Sequence, residues 1–284
     1  MSVLFLLVSG EIAELSAAEQ SRAIPFKLYG GFAIVIRGAI ADQEKLNLLV
    51  DTGAVPSAIH QRLARKLNLN GPKEKHSVIT NIHFVERVTI PQMRVGPLEI
   101  SSVSAVVVDL TAIERRLGLR LDAIIGLDVL GAQAFTIDYR VRQILLGQAG
   151  KTDEAIPFEL LTQDDAPYVV VALQINSHSV RLLMDTGADG ITLFDSWVRR
   201  PPFAVQRFGA RSAISAGGEY TVEQIELLDV RLGTAKRGMR RATLVESTMP
   251  GSVNFDGLLG PTSLGITRLA FDFSARVLYL QIER

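Results

Sequence analysis

The sequence predicts an all-β protein made of one half written twice, and three observations predict it. Leu48-Leu49-Val50-Asp51-Thr52-Gly53-Ala54 returns as Leu182-Leu183-Met184-Asp185-Thr186-Gly187-Ala188, with the aspartates 185 − 51 = 134 residues apart. The same offset carries Ile124-Ile125-Gly126 to Leu258-Leu259-Gly260, and Phe135-Thr136-Ile137-Asp138-Tyr139 to Leu269-Ala270-Phe271-Asp272-Phe273. A fixed period of this kind marks a half-domain duplicated within one chain. Finally, the β-prone runs are short, closely spaced and punctuated by Gly and Pro, with no alternation of strand and long helix.

In order along the chain, residues 1–23 read as an N-terminal arm or a weak signal-like segment. The apolar run Val3–Val8 is short, and no basic residue precedes it. The location is left open, cytoplasmic or, if the apolar run is a signal, exported (periplasmic). The first half spans 24–146. Ile24-Pro25-Phe26 opens it, Phe32 to Ile40 alternates as a strand, Ala41–Glu44 turns, and Lys45 to Val50 returns to Asp51. The apolar residues Ile59, Leu63, Ala64 and Leu67 give Ser57–Leu69 helical spacing, with Asn70-Gly71 as its stop. Lys75–Arg87, Thr89–Val95, Leu98–Ile100 and Ser104–Val108 read as further short strands. The polar stretch 147–155 is the linker.

The second half spans 156–284 and opens with Ile156-Pro157-Phe158. Tyr168–Ile175 and Ser179–Met184 form its first hairpin, and a short helix is expected over Ile191–Arg200, ended by Pro201-Pro202. Trp197 within it reads as a packed aromatic. Ala210–Ile214 and Tyr220–Leu227 form a second hairpin, whose tip carries Ala216, Gly217 and Gly218. The first half has no glycine pair at the equivalent place. Val277–Ile282 closes the chain as a strand.

Composition removes several classes of function. The 30 basic and 30 acidic residues cancel, which argues against nucleic acid as a partner. No apolar stretch approaches a membrane span. There is no cysteine, so thiol catalysis and disulfides are excluded. His60, His76, His83 and His178 do not fall at metal-ligand spacing, so no metal and no cofactor is expected.

A single Asp-Thr-Gly is most simply a turn at a strand end. Two copies change its meaning, because each follows three apolar residues and precedes, by about seventy positions, two aliphatics and a glycine. Two carboxylates brought together cannot both ionise, so Asp51 and Asp185 would share one proton and titrate as a unit. One then takes a proton from water while the other donates to the carbonyl that the water attacks.

The sequence resembles the aspartic proteases, and their retropepsin-like branch above all. The resemblance rests on Asp51-Thr52-Gly53-Ala54 with Ile124-Ile125-Gly126-Leu127-Asp128-Val129-Leu130, and on Asp185-Thr186-Gly187-Ala188-Asp189. It runs from about Ile24 to the C-terminus. It implies an acid-protease fold, with two retropepsin-like lobes forming a single-chain pseudodimer as in pepsin-like enzymes, and a peptide or protein as substrate. It further implies that Thr52 and Thr186 support the dyad and that Gly53, Gly187 and Asp189 contact substrate backbone. Ile125, Gly126, Leu259 and Gly260 would form the loops behind the aspartates, and Ala216, Gly217 and Gly218 a flap tip. Val55 in place of an aspartate makes the cleft asymmetric, and the missing glycine pair implies one flap.

Three readings compete. The first is an active endopeptidase working as a monomer. The second is a catalytically silent module that binds a peptide or protein in the same cleft. The third is a homodimer in which halves pair between chains, which the short linker disfavours.

Overall fold

The computed structural model describes residues 22–77, 82–147, 149–150, 154–163, 166–198, 205–216, 218–246 and 254–283. The 1–21 part of the N-terminal arm, Pro201-Pro202 and Gly217 lie outside them, as does the Trp197 side chain. The first lobe contains β1 (Ala23–Tyr29), β2 (Ala33–Ile40), β3 (Gln43–Val50), β4 (Ser57–His60), β5 (Lys73–Ser77), β6 (Ile82–Val95), β7 (Leu98–Val108), β8 (Ala123–Ile125), β9 (Phe135–Asp138) and β10 (Gln143–Leu146). The second answers in the same order with β11 (Glu154–Gln163), β12 (Ala166–Ile175), β13 (His178–Met184), β14 (Ile191–Phe194), β15 (Gln206–Ser215), β16 (Gly218–Leu232), β17 (Ala235–Val245), β18 (Gly257–Leu259), β19 (Ile266–Asp272) and β20 (Val277–Ile282). The chain is therefore all-β, with two matching lobes.

Each lobe folds its own sheet, and a third sheet joins them. The joining sheet runs β1-β10-β9-β19-β20-β11. At its centre β9 and β19 pair antiparallel, Phe135 opposite Phe271, Thr136 opposite Ala270 and Ile137 opposite Leu269. Since Leu269 and Phe271 are the repeats of Phe135 and Ile137, this register is self-complementary. A pseudo-two-fold axis passes through Thr136 and Ala270, as in an isologous dimer interface. Phe135 and Phe271 stack beside it, with ring centroids 4.6 Å apart.

The opening Ile-Pro-Phe of each half now has a physical reason. Ala23–Pro25 pairs with β10 and Phe26–Tyr29 with β2; likewise Glu154–Pro157 pairs with β20 and Phe158–Gln163 with β12. Each strand changes sheets at its proline, the residue that has no N–H to contribute to a ladder. The next residue resumes bonding, Phe26 N–H to the Arg142 carbonyl (2.9 Å) and Phe158 N–H to that of Arg276 (3.0 Å).

Several local expectations are corrected. Ser57–His60 is strand β4, and only Gln61–Lys66 is helical (α1). All four residues of β4 are buried between β7 and β8, so the apolar spacing came from a covered strand running into one helical turn. The second lobe repeats this: Ile191–Phe194 is β14, and the helix expected over Ile191–Arg200 is described only at Asp195–Val198. Leu98–Val108 is one continuous strand. β11 starts at Glu154, inside the stretch read as linker. The sequence reading also passed over helix α2 (Thr111–Leu117), which starts where Asp109 accepts from the Thr111 N–H (3.0 Å) and ends at left-handed Gly118, and the single turn α3 (Leu127–Leu130). In the first lobe β5 pairs with β6 where β15 pairs with β16 in the second. Among the described residues no helix is long and apolar enough to cross a membrane.

Candidate active site

Both Asp-Thr-Gly loops are built in the same way. β3 and β8 run parallel, as do β13 and β18, with Val50 beside Ile125 and Met184 beside Leu259. The last bond of each pair reaches the aspartate itself, Asp51 N–H to the Ile125 carbonyl and Asp185 N–H to that of Leu259, both at 3.0 Å. The glycine that ends each supporting strand must be glycine. A Cβ at Gly126 would lie 1.9 Å from the Ala54 carbonyl oxygen, and one at Gly260 would lie 2.3 Å from that of Ala188. Ile125, Gly126, Leu259 and Gly260 thus pack against the two loops.

Beneath the aspartates the two loops are tied to each other. Thr52 N–H donates to Thr186 Oγ1 (3.0 Å) and Thr186 N–H donates to Thr52 Oγ1 (3.1 Å). Each hydroxyl passes its own proton across the axis, Thr52 to the Met184 carbonyl (2.7 Å) and Thr186 to that of Val50 (3.1 Å). Both threonines are buried, so this crossed set satisfies groups that water does not reach.

Asp51 and Asp185 face each other at the floor of the cleft, each carboxyl lying against the glycine of the opposite loop. Each also accepts from its own loop, Asp51 from Gly53 N–H (2.9 Å) and Asp185 from Gly187 N–H (2.8 Å). Burial pushes both carboxyls above the ordinary carboxylate range, and Asp185 well above it, because the neighbouring Asp51 charge opposes its ionisation. Both shifts favour the protonated form of the carboxyls. Gly53 and Gly187 are needed for this approach: a Cβ on Gly53 would sit 2.7 Å from the Asp185 Cγ, and one on Gly187 would sit 2.5 Å from an Asp51 oxygen.

The cleft above the pair holds about 640 Å³ and is lined from both lobes. Ala216 borders it at the end of β15, and left-handed Gly218 (φ +108) starts β16, so this hairpin forms part of the cleft wall. Val85, on the first-lobe hairpin, lines it too. Asp189, expected to face substrate backbone, also lines the cleft. Its carboxylate is gripped at both oxygens by Arg211 of β15 (3.0 and 3.1 Å).

Several supporting residues were not singled out from the sequence. Asp122 accepts from Asn47 N–H (3.0 Å), and its repeat Asp256 accepts from Arg181 N–H (2.9 Å), which fixes the start of each strand behind the dyad. The 134-residue offset could have found them, since Asp122-Ala123-Ile124-Ile125-Gly126 is matched by Asp256-Gly257-Leu258-Leu259-Gly260. Ser57 and Arg211 carry no such signal. Each becomes visible only through its partner, Asp128 and Asp189 respectively.

A family model described as aspartyl protease matches the chain twice, at residues 36–129 and at 171–262. The two matches fall one in each lobe and together cover more than half of the chain. No curated protein matches it. The chain belongs to the aspartyl protease family, in its retropepsin-like form, with two half-domains fused into a single-chain pseudodimer.

Proposed function

We propose that this member of the aspartyl protease family is an aspartic endopeptidase whose single active site is completed within one chain. Asp51 and Asp185 form its catalytic dyad. The observation that carries this reading is the facing carboxyl pair at the cleft floor, each member against the opposite loop's glycine and held from below by the crossed Thr52 and Thr186 bonds. The ionised member removes a proton from water as its oxygen attacks the scissile carbonyl, and the protonated member donates to the carbonyl oxygen. The tetrahedral diol then collapses, a proton passes to the departing nitrogen, and an acid and an amine leave. Thr52 and Thr186 hold the carboxyls in place, Gly53 and Gly187 leave room for them, and the β15–β16 hairpin covers the substrate.

Because both carboxyls are shifted upward by burial, and because Ala54 and Ala188 place no hydroxyl beside them, the pair holds its proton into mild acid. The rate of peptide cleavage is expected to peak above about pH 3, outside the range set by pepsin's lower dyad pKa. The test is cleavage of a mixed peptide library from pH 3 to 8 by wild type, Asp51→Asn and Asp185→Asn. Each single variant is expected to lose about 10²–10⁴-fold in rate, since each removes one partner of the proton exchange. If either variant retained wild-type activity, a shared site would be excluded. A wild type silent across the range would leave the cleft as a binding site only.

A further inference from the structure

The two lobes offer the substrate different walls, and strand register allows a position-by-position comparison. Val35 lies opposite Leu49 in the first lobe and Val170 opposite Leu183 in the second. Two residues back along each strand, Ala33 therefore corresponds to Tyr168. Ala58 pairs with Val106 and Ile124, while Thr192 pairs with Thr243 and Leu258. Val35 and Val170 serve only to set the register; the other residues of this comparison all line the cleft. At matching positions the first lobe thus presents Ala33, Ala58 and Val106, and the second presents Tyr168, Thr192 and Thr243. Val55 follows the first loop where Asp189 follows the second.

The consequences run in opposite directions. On the first-lobe side the small residues leave a recess walled by the apolar Phe32, Ile113 and Leu117, with the exposed Arg116 on its border. On the second-lobe side Tyr168 fills the space, packed against Phe255 with centroids 6.2 Å apart. Over it lies a polar layer: Arg211 grips Asp189 and reaches Thr243 Oγ1 (3.4 Å). The bidentate pair cancels its own charge, so Arg211 and Asp189 together offer hydrogen-bond donors and acceptors with little net charge. Glu219, further along the same hairpin, accepts from the Ser212 hydroxyl.

In an extended peptide, successive side chains point to opposite sides. The residues flanking the scissile bond therefore enter different lobes. Resting on the endopeptidase reading, we infer that the cleft selects an ordered pair: a bulky apolar side chain against the first lobe, and a small or uncharged polar one against Asp189, Arg211, Thr192 and Thr243. A bulky apolar residue on the second-lobe side meets Tyr168 and would cover polar groups without pairing them.

The test uses octapeptides identical except at their two central positions: Phe–Ser, Ser–Phe, Phe–Phe and Ser–Ser. Binding is measured with the Asp51→Asn protein and cleavage with wild type. One of the two mixed orders is expected to exceed both Phe–Phe and the reverse order by about tenfold or more. The double variant Asp189→Val/Arg211→Leu is expected to raise Phe–Phe relative to the preferred mixed peptide. So is Thr192→Ala, which copies the first lobe's own residue and guards against misfolding of the double variant. Phe–Phe leading in wild type, or the two mixed orders performing equally, would overturn the inference even if cleavage depends on both aspartates. Ordered binding without any cleavage would leave the asymmetry standing and reject hydrolysis instead.

Discussion

The first and second lobes agree most closely around the carboxyl pair, to which both contribute, and differ most in the glycine anchors and cleft walls that each supplies alone. The two Asp-Thr-Gly loops make the same bonds: those donated by backbone N–H groups agree to within 0.2 Å, and only the threonine hydroxyl bonds differ more, 2.7 against 3.1 Å. The anchors behind them do not match. In the first lobe the Gly126 N–H donates to Ser57 Oγ (3.0 Å). That hydroxyl donates in turn to the half-buried Asp128 carboxylate (2.7 Å), which also accepts the Ser57 N–H. In the second lobe the repeats of Ser57 and Asp128 are Ile191 and Thr262. The Gly260 N–H goes to the Gly190 carbonyl instead (2.8 Å), and Ser263 Oγ donates to the Gly260 carbonyl (2.6 Å). A buried N–H must find an acceptor, but not a particular one. Backbone satisfaction leaves the anchor free to diverge, whereas a shared carboxyl pair does not.

That contrast can be broken or sharpened by substitution. The largest effect is expected at Gly53→Ala and Gly187→Ala. Each new Cβ would collide with the opposite aspartate, so both variants should lose about 100-fold or more in kcat/KM. A large difference between them would show that the loops are less equivalent than their bonds indicate. Next are Thr52→Val and Thr186→Val, each of which strands a buried N–H across the axis. Each should cost about 1–3 kcal/mol in denaturant unfolding. Because the bonds are reciprocal, the double variant should cost less than the sum.

The anchors should show the reverse pattern, an unequal pair. Asp128→Ala removes the acceptor of two Ser57 donors, and about 1–3 kcal/mol of stability should go with it. Thr262→Ala at the matching position should stay within about 0.5 kcal/mol. Equal losses would mean that the second anchor depends on its side chain too.

The smallest effect is one of pH. Asp185 binds its proton more tightly folded than unfolded, so between its ordinary value of 3.8 and its raised folded value the native state holds the extra proton. Stability from this group is therefore greatest at low pH and falls as pH rises through that window. Asp185→Asn should raise Tm at pH 7, with the gain disappearing towards pH 4. His60 works in the opposite sense. Burial, then the Arg62 charge, lowers its pKa from 6.5, so its contribution is present above 6.5 and is lost as pH falls below it. Phe194 closes onto the Asp256 carbonyl as His60 does onto that of Asp122, so this second dependence belongs to the first lobe alone.

Much of this was written locally in the chain. The 134-residue period, the two loops, the hairpins leading into them and the all-β class follow from alternation, turn residues and repetition. Each of these acts over a few positions or survives duplication unchanged. Helix α2 was legible as well, since Thr111-Ala112-Ile113-Glu114-Arg115-Arg116-Leu117 ends at a glycine. Other features depended on partners distant in the chain. Ser57–His60 has helical spacing and becomes a strand only because β7 and β8 flank it. Tyr168 answers Ala33, not Ile34, because the register of β12 against β13 slips by one relative to the repeat. Arg211 becomes part of the cleft only when β15 folds over Asp189. The sequence by itself determined which residues could form a carboxyl pair. The tertiary structure decided what surrounds that pair, because burial, register and ion pairing are properties of strands brought together from opposite ends of each half.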